Sequence, residues 1–434
     1  MELSRHNIIS KLEGSDEYFI VNLLSSNADI LSAKDALAIQ NGTYENVQEL
    51  MAKGYLVDVA EEKKKYRQAY LDFIDQRDTD EIQIFYVPSY ACNFDCTYCY
   101  QVEYEPTASH YNTAVVDAFF NHITNTFAGR KKYITIFGGE PLLPAKVHKD
   151  YLAYIIEKAT EKNIEIAFVT NGYLLSEYLD ILAKGKVREV QVTLDGVKGM
   201  HDKRRPLKNG GETFDKIVEG IDGAMERGFP VNLRMVVDKE NIDNLPKLAQ
   251  FAIDKGWTKS LLFKTQLGRN YELHYCQHNQ KKLYDRIEIY KDVYKLLKEH
   301  PHIIEFYKPA FSVSKFLFEE GKLPVPLFDS CPGTKTEWAF DYTGSIYSCT
   351  ATVGKSGEKL GSFYPEVEMN EDEIENWQER DVVSIEGCEN CNLQLACGGG
   401  CGSVAKNNNK DNVLTPDCRP IKELLELGIA YYGS

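Results

Sequence analysis

Three cysteines at positions 92, 96 and 99 are the residues whose types and spacing say most about the chemistry of this chain. They form a C-x3-C-x2-C pattern, with Tyr98 immediately before the third cysteine. Three thiolates on one short loop can ligate three irons of a [4Fe–4S] cluster, whereas a cluster that only transfers electrons is normally held by four cysteines. The pattern therefore predicts a cluster whose fourth iron binds a substrate or cofactor directly.

An alternative interpretation places the three cysteines on one face of a helix, where free thiols are often buried. The sequence disfavours it, because the cysteines follow an apolar strand-like run, Ile82 to Val87, and loop-forming residues accompany them, namely Pro88, Asn93 and Asp95. On this pattern the chain resembles the radical S-adenosylmethionine (radical SAM) enzymes. The resemblance implies that Cys92, Cys96 and Cys99 are catalytic cluster ligands, that the open iron chelates the methionine end of S-adenosylmethionine, and that Tyr98 lies against the adenine.

Strands and helices alternate from Glu81 to about Lys264, and this alternation predicts parallel strands with right-handed crossovers. Six such repeats are too few for a complete eight-stranded barrel. We therefore expect an α/β fold built around a partial (β/α)6 TIM-like barrel, whose chemistry lies on loops at the carboxyl ends of the strands. Predicted strands cover residues 82–87, 133–137, 164–169, 187–194, 231–237 and 260–264; predicted helices cover 112–128, 148–161, 175–184, 213–227, 243–254 and 281–299.

Further motifs at the predicted strand ends resemble the cofactor site of the same family. Gly138, Gly139 and Glu140 follow the second strand as Gly-Gly-Glu-Pro, which the resemblance identifies as a site for the amino group of S-adenosylmethionine. Glycines there allow close backbone approach, and Glu140 adds an acceptor for an ammonium group. A plain strand-to-helix turn is the alternative.

Three more residues complete the predicted cofactor contacts. Asn171 in Thr-Asn-Gly and Asp195 in Leu-Asp-Gly end the third and fourth strands, where they are suited to ribose hydroxyls or to ordinary turns. Arg234 alternates with apolar residues on the fifth strand and is expected to bind the methionine carboxylate, with a structural ion pair as the alternative. The segment from His201 to Pro206 also resembles a family loop after the fourth strand.

Seven cysteines after about Pro309 indicate a second metal-rich region, 309–434. Their order resembles the SPASM domain, which in relatives binds two auxiliary [4Fe–4S] clusters. The resemblance implies that one cluster is held by four cysteines and the other by three, which are respectively Cys388, Cys391, Cys397 and Cys418, and Cys331, Cys349 and Cys401.

Several points about this region stay open in the sequence. Zinc is the alternative metal, because paired C-x2-C elements also make zinc ribbons, but seven cysteines do not divide into closed four-ligand sites. The open iron of the three-cysteine set is expected to bind substrate or to take a ligand from elsewhere, including Cys276. An ordinary unligated thiol is the alternative for Cys276.

Residues 1–80 are predicted to form a winged-helix-like α+β module. A strand at 18–24, helices at 33–40 and 45–53, a strand at 55–58 and a charged helix at 61–74 support this interpretation. The unit resembles peptide-recognition elements fused to enzymes that modify ribosomally made peptides, and an ordinary structural appendage is the alternative. We place the barrel at 81–308.

Composition excludes some classes of partner. The chain has 434 residues, 43% of them hydrophobic, and a formal net charge of −15, which argues against general nucleic-acid binding. No stretch is long and apolar enough to span a membrane, and no signal peptide is visible. Eleven cysteines without a secretory signal are expected to be metal ligands in a reducing compartment, so a cytoplasmic location is predicted.

The resemblance to radical SAM enzymes with SPASM domains implies a peptide or protein substrate. Such an enzyme reductively cleaves S-adenosylmethionine to a 5′-deoxyadenosyl radical, which abstracts hydrogen from an unactivated carbon. We expect three [4Fe–4S] clusters, an electron donor such as flavodoxin or ferredoxin, and an intrapeptide crosslink, a cysteine thioether, in a ribosomally made precursor peptide bound through its leader.

Other functions remain open at this stage. Carbon–carbon crosslinking of a peptide, and oxidation of a Ser or Cys in a protein as by sulfatase-maturing enzymes, are the enzymatic alternatives. Those maturases typically carry Asp after the cysteine that matches Cys349, where this chain has Thr350. A multi-cluster electron carrier or an inactive adaptor is disfavoured by the complete set of cofactor motifs.

Overall fold

The computed structural model describes residues 1–44, 46–103, 111–269 and 282–433. Within these ranges a ten-stranded sheet forms the centre of the molecule, and two small sheets belong to the N-terminal module. Cys276 lies outside the described residues.

The N-terminal module starts with a β-meander and ends in a long helix. Its elements are β1 (Glu2–Leu3), β2 (Ile8–Lys11), β3 (Tyr18–Asn22), β4 (Asn27–Leu31), α1 (Ala33–Gln40), α2 (Val47–Ala52), β5 (Leu56–Val57) and α3 (Val59–Thr79). The antiparallel strands β2, β3 and β4 precede the helices, and β5 pairs back with β1. This order differs from the expected one, in which a strand pair follows the helices, because β2 and β4 are short, polar strands without a clear alternation.

Alternating strands and helices build the middle of the chain, as the sequence predicts. The elements are β6 (Ile82–Val87), α4 (Thr113–Thr126), β7 (Lys132–Ile136), α5 (Lys146–Glu161), β8 (Glu165–Thr170), α6 (Leu175–Leu182), β9 (Val187–Thr193), α7 (Lys198–Arg204), α8 (Phe214–Glu226), β10 (Val231–Val237), α9 (Leu245–Asp254), β11 (Phe263–Arg269), α10 (Glu288–Glu299) and α11 (Ile303–Phe306). The helix α7 was not predicted, because its short, charged sequence has no apolar periodicity.

The six strands β6 to β11 are all parallel and lie in the order β11-β10-β9-β8-β7-β6. The strand residues that face the helices, together with the apolar faces of those helices, form the main hydrophobic core, whereas the alternate strand residues face the interior of the barrel. The α/β fold with a partial (β/α)6 barrel is therefore confirmed. All carboxyl ends of these strands meet at one edge, which is where the predicted motifs lie.

The C-terminal region continues the central sheet. It contains α12 (Ser314–Glu320), β12 (Glu337–Asp341), β13 (Ser345–Tyr347), β14 (Gly361–Ser362), β15 (Glu368–Met369), α13 (Glu371–Glu379), α14 (Gln394–Cys397), α15 (Gly402–Asn408) and α16 (Ile421–Tyr432). β12 pairs in parallel with β6, and β13 to β15 add antiparallel strands beyond it. An incomplete barrel leaves β6 with an unpaired edge, and β12 covers that edge. The sheet thus runs across the predicted boundary at 308/309.

The N-terminal module packs against the C-terminal region. Three aromatic residues of α3, namely Tyr66, Tyr70 and Phe73, surround the fully buried Phe328 with ring-centroid distances of 5.2, 5.3 and 5.6 Å. The Tyr66 hydroxyl donates to the side-chain oxygen of Gln394 at 2.7 Å. Apolar residues of the meander share one core cluster with residues of the C-terminal region.

Candidate functional site

The loop that carries the first three cysteines is held at the carboxyl edge of the sheet by backbone hydrogen bonds. The Asp95 amide donates to the Pro206 carbonyl at 2.9 Å, and the Thr97 amide donates to the Arg204 carbonyl at 3.0 Å. The cysteines lie outside any helix, so the helical interpretation is excluded. The segment after α7, to which the sequence assigned no role, is thus the clamp that fixes this loop.

The three thiols form a partly buried, electrostatically coupled group. Burial and the negative charges of Glu140 and the neighbouring thiolates together raise the pKa of Cys92 to about 12, and burial with the charge of Cys99 raises that of Cys96 to about 11. The cation of Arg205 opposes this effect at Cys96. Buried thiols that repel one another when ionised become stable thiolates when a metal binds them. Soft thiolate donors suit iron–sulfur clusters, so these residues fit the expected one.

The two glycines after β7 allow the cysteine loop to approach this strand closely. A Cβ at Gly139 would collide with the carbonyl oxygens of Tyr90 and Ala91, and a Cβ at Gly138 would lie 2.7 Å from the Ser89 carbonyl oxygen. Gly138 also has φ = 137°, which favours glycine. The sequence predicted that these glycines let a ligand approach the backbone. In the structure they also let the cysteine loop approach β7 closely.

Glu140 is buried and fastens β7 to β8. Its carboxylate accepts hydrogen bonds from the Thr170 hydroxyl at 2.5 Å, the Asn171 amide at 2.6 Å and the Leu142 amide at 2.8 Å. Burial raises its pKa to about 7, although these hydrogen bonds act in the opposite direction. The Asn171 side chain in turn donates to Asn93 Oδ1 at 2.8 Å, so the tip of β8 is linked to the cysteine loop.

Asp195 belongs to a buried ion-pair network. Arg204 donates to Asp195 at 3.3 Å and to both oxygens of Asp238 at 3.0 and 2.9 Å. The Arg204 guanidinium also lies 4.9 Å from the ring centroid of Tyr98, and Arg205 donates to the Tyr98 hydroxyl at 2.7 Å. One face of the Tyr98 ring is therefore covered by an arginine, and the sequence analysis missed the part that both arginines play.

Arg234 has an unsatisfied donor directed at the barrel interior. Its Nε is buried and has no hydrogen-bond partner among the described residues. Gly268 on β11 makes room for it, because a Cβ there would lie 2.5 Å from Nε. A guanidinium with spare donors at this place fits a ligand carboxylate. The arrangement suits the predicted role of Arg234 and shows no structural ion pair in the described part of the chain.

One cavity of about 1280 Å³ brings many of the predicted residues together. Its wall includes both sequence-predicted positions and residues of the C-terminal region, namely Cys92, Cys96, Tyr98, Cys99, Gly138, Gly139, Asn171, Arg234, Thr350 and Cys401. Within the described residues, Glu140 and Asp195 do not belong to this wall. The structure gives these two carboxylates positioning contacts, and their contacts to a cofactor stay predictions.

The C-terminal cysteines act electrostatically on one another within the two sets that the family resemblance implies. Burial and the charges of Cys331 and Cys401 raise the pKa of Cys349. Burial, followed by the charges of Cys397, Cys391 and Cys418, raises the pKa of Cys388 to about 11. Among the described residues no group of His, Cys, Asp or Glu is placed to hold a metal ion. The cluster-ligand roles therefore stay predictions.

Glu337 lies beside the three-cysteine set and was not singled out from the sequence. Its carboxylate accepts a hydrogen bond from the Thr350 amide at 2.9 Å. Burial raises the pKa of Glu337, and the charge of Glu337 raises that of Cys349. In the sequence Glu337 is an unremarkable first residue of a strand, so only the pairing of β12 with β6 reveals its position.

Comparison with known proteins identifies the middle of the chain. The radical SAM superfamily matches residues 86–252, so this segment is a radical SAM domain. Its cofactors are S-adenosylmethionine and one [4Fe–4S] cluster.

Two curated relatives illustrate the range of similarity. A GTP 3′,8-cyclase of Campylobacter fetus is 31% identical over 169 residues, which are 38% of this chain and 50% of that protein. The chain thus spans about half the length of such relatives. A serine-type anaerobic sulfatase-maturating enzyme of Bacteroides thetaiotaomicron is 25% identical over 348 residues, which are 71% of this chain and 80% of that protein.

Solved structures share the fold of the whole chain. anSMEcpe with bound AdoMet and Cp18Cys peptide superposes with a TM-score of 0.61 at 20% identity, covering 81% of this chain and 98% of that one. SuiB of Streptococcus suis bound to precursor peptide SuiA superposes with a TM-score of 0.51 at 15% identity, covering 95% and 98%. At such identities the likeness concerns the fold alone. Among the described residues, no helix has the length and apolar character needed to cross a bilayer.

Proposed function

We propose that this protein is a radical SAM peptide maturase that forms an intrapeptide crosslink, a cysteine thioether, in a ribosomally made precursor peptide. The observation that carries the proposal is the cavity that joins the cysteine loop (residues 92–99) to Thr350 and Cys401 of the C-terminal region. Its volume of about 1280 Å³ exceeds the roughly 300–1,000 Å³ of common small-molecule sites. The cavity is large enough for a segment of peptide beside the cofactor.

The chain's own residues bind and orient the reactants in this proposal. When bound and reduced by one electron, the cofactor supplies a radical that abstracts hydrogen from an unactivated carbon. Cys92, Cys96 and Cys99 hold the cluster that binds it, and Arg234 directs its spare donor at the carboxylate of the methionine moiety. The aromatic and apolar walls of the barrel, including Phe85 and Phe137, exclude water from the reacting atoms.

The C-terminal cysteines are proposed to hold two auxiliary [4Fe–4S] clusters in a SPASM-type domain. Each crosslink removes two hydrogens from the peptide, so a second electron must leave the product, and a nearby cluster is suited to accept it. The three-cysteine set opens toward the cavity through Cys401, where a peptide thiolate would meet it. A flavodoxin or ferredoxin is the proposed electron donor, and the N-terminal module is proposed to bind the leader.

Oxidation of a protein Ser or Cys is the second candidate function. The 80% coverage of a serine-type sulfatase-maturating enzyme favours it. Such maturases typically carry Asp at the position of Thr350. Here the nearby carboxylate comes instead from Glu337, which accepts a hydrogen bond from the Thr350 amide. Glu337 does not belong to the wall of the cavity, so it does not supply a base there as the Asp would, and this favours the peptide-crosslinking proposal.

Mass spectrometry of anaerobic reactions tests the proposal. The reconstituted enzyme is mixed with S-adenosylmethionine, a reductant and short peptides encoded beside its gene. We expect 5′-deoxyadenosine and a peptide that has lost two hydrogens per bond. Oxidation of Ser to an aldehyde also removes two hydrogens, so trapping of the aldehyde with a hydrazide and peptide fragmentation distinguish that product from a crosslink. 5′-Deoxyadenosine without a change in peptide mass would overturn the substrate assignment.

Two variants separate the roles of the cysteine sets. Cys96→Ala is expected to abolish both 5′-deoxyadenosine and crosslinked peptide, because the cofactor loses its cluster. Cys349→Ala is expected still to form 5′-deoxyadenosine but no longer to form crosslinked peptide. Crosslinking at the wild-type rate by Cys349→Ala would show that the C-terminal set takes no part in the reaction.

A further inference from the structure

Arg380 is a completely buried cation between the two C-terminal cysteine sets. It directly follows α13 and has 0% of its surface exposed. Its Nη2 donates to the carbonyl oxygens of Gly399 at 2.8 Å and Thr415 at 3.0 Å. Gly399 lies between Cys397 and Cys401, and Thr415 lies three residues before Cys418. The guanidinium is therefore fastened to the two segments that carry these cysteines.

No carboxylate among the described residues neutralises this cation. Its Nε and Nη1 are buried and have no hydrogen-bond partner in the described part of the chain. The buried carboxylate of Asp329 is ion-paired with Lys335 instead. Burying an uncompensated charge costs several kcal/mol, and buried charges are normally paired. The charge of Arg380 acts on Asp329, but that carboxylate is ion-paired with Lys335, so Arg380 has no ion pair of its own among the described residues.

The Arg380 side chain passes beside Gly402 and Cys331, and its guanidinium lies near the four-cysteine set, because Nη2 binds the segment before Cys418. A Cβ at Gly399 would lie 3.3 Å from Nη1, and Gly399 has φ = +75°, so a glycine here lets the loop close over the guanidinium. Burial and the charges of the neighbouring cysteines raise the pKa of the Cys388 thiol, and the positive charge of Arg380 opposes that effect. The same charge has a stabilising effect on any further negative charge placed at this set.

We propose that Arg380 sets the reduction potential of the auxiliary cluster held by Cys388, Cys391, Cys397 and Cys418; this inference rests on the proposed function. One-electron reduction adds one negative charge to the cluster. A buried cation with two spare N–H donors stabilises that reduced form and so raises the potential. Charge and hydrogen bonds near the sulfurs are established controls of cluster potential.

Redox titration of the full-length holoprotein by EPR spectroscopy tests this role. In Arg380→Gln we expect the midpoint to move to more negative potential, with at least a tenfold lower ratio of reduced to oxidised cluster at a fixed potential, or about 59 mV for one electron. Arg380→Lys keeps the charge and is expected to shift less. EPR signals of the cluster expected at Cys92, Cys96 and Cys99 are identified by their loss in the C92A/C96A/C99A variant.

Arg286→Gln is the matched control. Arg286 donates to the Cys418 carbonyl at 3.2 Å, so it is also a cation beside this set. It is partly exposed and ion-paired with Asp417 at 2.6 Å, so solvent and the carboxylate screen its charge. A shift as large as that of Arg380→Gln would attribute the effect to any nearby cation and overturn the specific role of Arg380.

Iron and sulfide analysis separates the two possible failures. A wild type with one cluster per chain would overturn the auxiliary clusters and this inference together. Three clusters per chain with an unchanged midpoint in Arg380→Gln would overturn only the role of Arg380. Should that variant fail to fold, pulsed EPR of the reduced protein containing ¹⁵N-arginine decides. A nitrogen coupling to the auxiliary cluster that is present in the wild type and lost in Arg380→Lys supports the inference, and an unchanged coupling, or none in the wild type, overturns it.

Discussion

Single side chains at the site act mainly by fixing backbone. Glu140 was predicted as an acceptor for an ammonium group, yet its carboxylate accepts three hydrogen bonds from β8 and its own loop. Asp195 similarly serves Arg204 and the Val236 amide. The family resemblance identified both positions as belonging to the site, but their partners depend on neighbouring strands that the local sequence does not contain.

Replacing Glu140 by Gln tests this positioning role. The amide places N–H donors where Oε2 now accepts from the Asn171 amide, so a buried donor loses its partner. We expect the free energy of unfolding to fall by about 1–3 kcal/mol, measured as a lower thermal midpoint under anaerobic conditions. Glu177→Gln, which removes an exposed ion pair with Lys149, is the control and should change little. Equal midpoints for the two variants would contradict the role of Glu140.

At the scale of elements, neighbouring strands prepare the place of each functional group. β10 and β11 run parallel, with Arg234 directly opposite Gln266 and Gly268 two residues further along the partner strand. Gly268 leaves the space that the guanidinium occupies. The clamp after α7 has the same purpose for the cysteine loop, because it binds the backbone between the ligands.

Gly268→Ala should therefore weaken cofactor binding although the substitution itself removes no charged group. The new Cβ would lie 2.5 Å from Arg234 Nε and push the guanidinium away from its position. We expect the Kd for S-adenosylmethionine to rise about tenfold or more, since a charged hydrogen bond contributes about 1.5–3 kcal/mol. Isothermal titration calorimetry of the reconstituted enzyme measures it.

The control for this variant is Gly199→Ala. Gly199 lies in α7, and a Cβ there meets no atom within 4 Å. Its Kd should match that of the wild type. If Gly268→Ala binds the cofactor equally well, Arg234 does not hold the carboxylate.

At the scale of the whole molecule, three predicted regions form one continuous structure. β12 extends the barrel sheet, and α3 with the meander packs against the C-terminal cysteine region. The N-terminal module, which is proposed to bind a leader, is therefore adjacent to the four-cysteine set and shares a hydrophobic core with it. Loosening this contact should affect both regions together.

His6 makes this contact pH-dependent. It is 2% exposed and stacks on Tyr66 at 5.3 Å, and burial followed by the charge of Arg5 lowers its pKa from 6.5 to about 4. Because the folded state binds the proton less readily than the unfolded state, stability is complete above pH 6.5 and is lost as pH falls toward 4. By pH 5 the free energy of unfolding should have fallen by about 2 kcal/mol.

Urea unfolding at pH 7.5 and 5.0 measures this loss. His6→Gln cannot titrate, so its stability should fall less between the two values, while acid effects on the clusters are common to both proteins. An identical pH dependence of wild type and His6→Gln would show that His6 does not contribute.

The sequence by itself was enough to predict the radical SAM domain and the parallel-strand architecture around it. The C-x3-C-x2-C loop, the glycine pair and the alternation of strands and helices identified a radical SAM domain in a partial barrel, because cluster ligation and parallel-sheet formation depend on local spacing and period. The division of the seven C-terminal cysteines into sets of three and four is what the resemblance to SPASM domains implies, and it stays a prediction.

Only the tertiary structure decided which groups meet across the chain. Arg205 beside Cys96, Glu337 beside Cys349, the unpaired Nε of Arg234 and the buried Arg380 all depend on contacts between segments distant in sequence. The pairing of β12 with β6 likewise joins segments that are distant in the sequence. Burial changes the energy of charges far more than local sequence does, and burial is a property of the packed molecule.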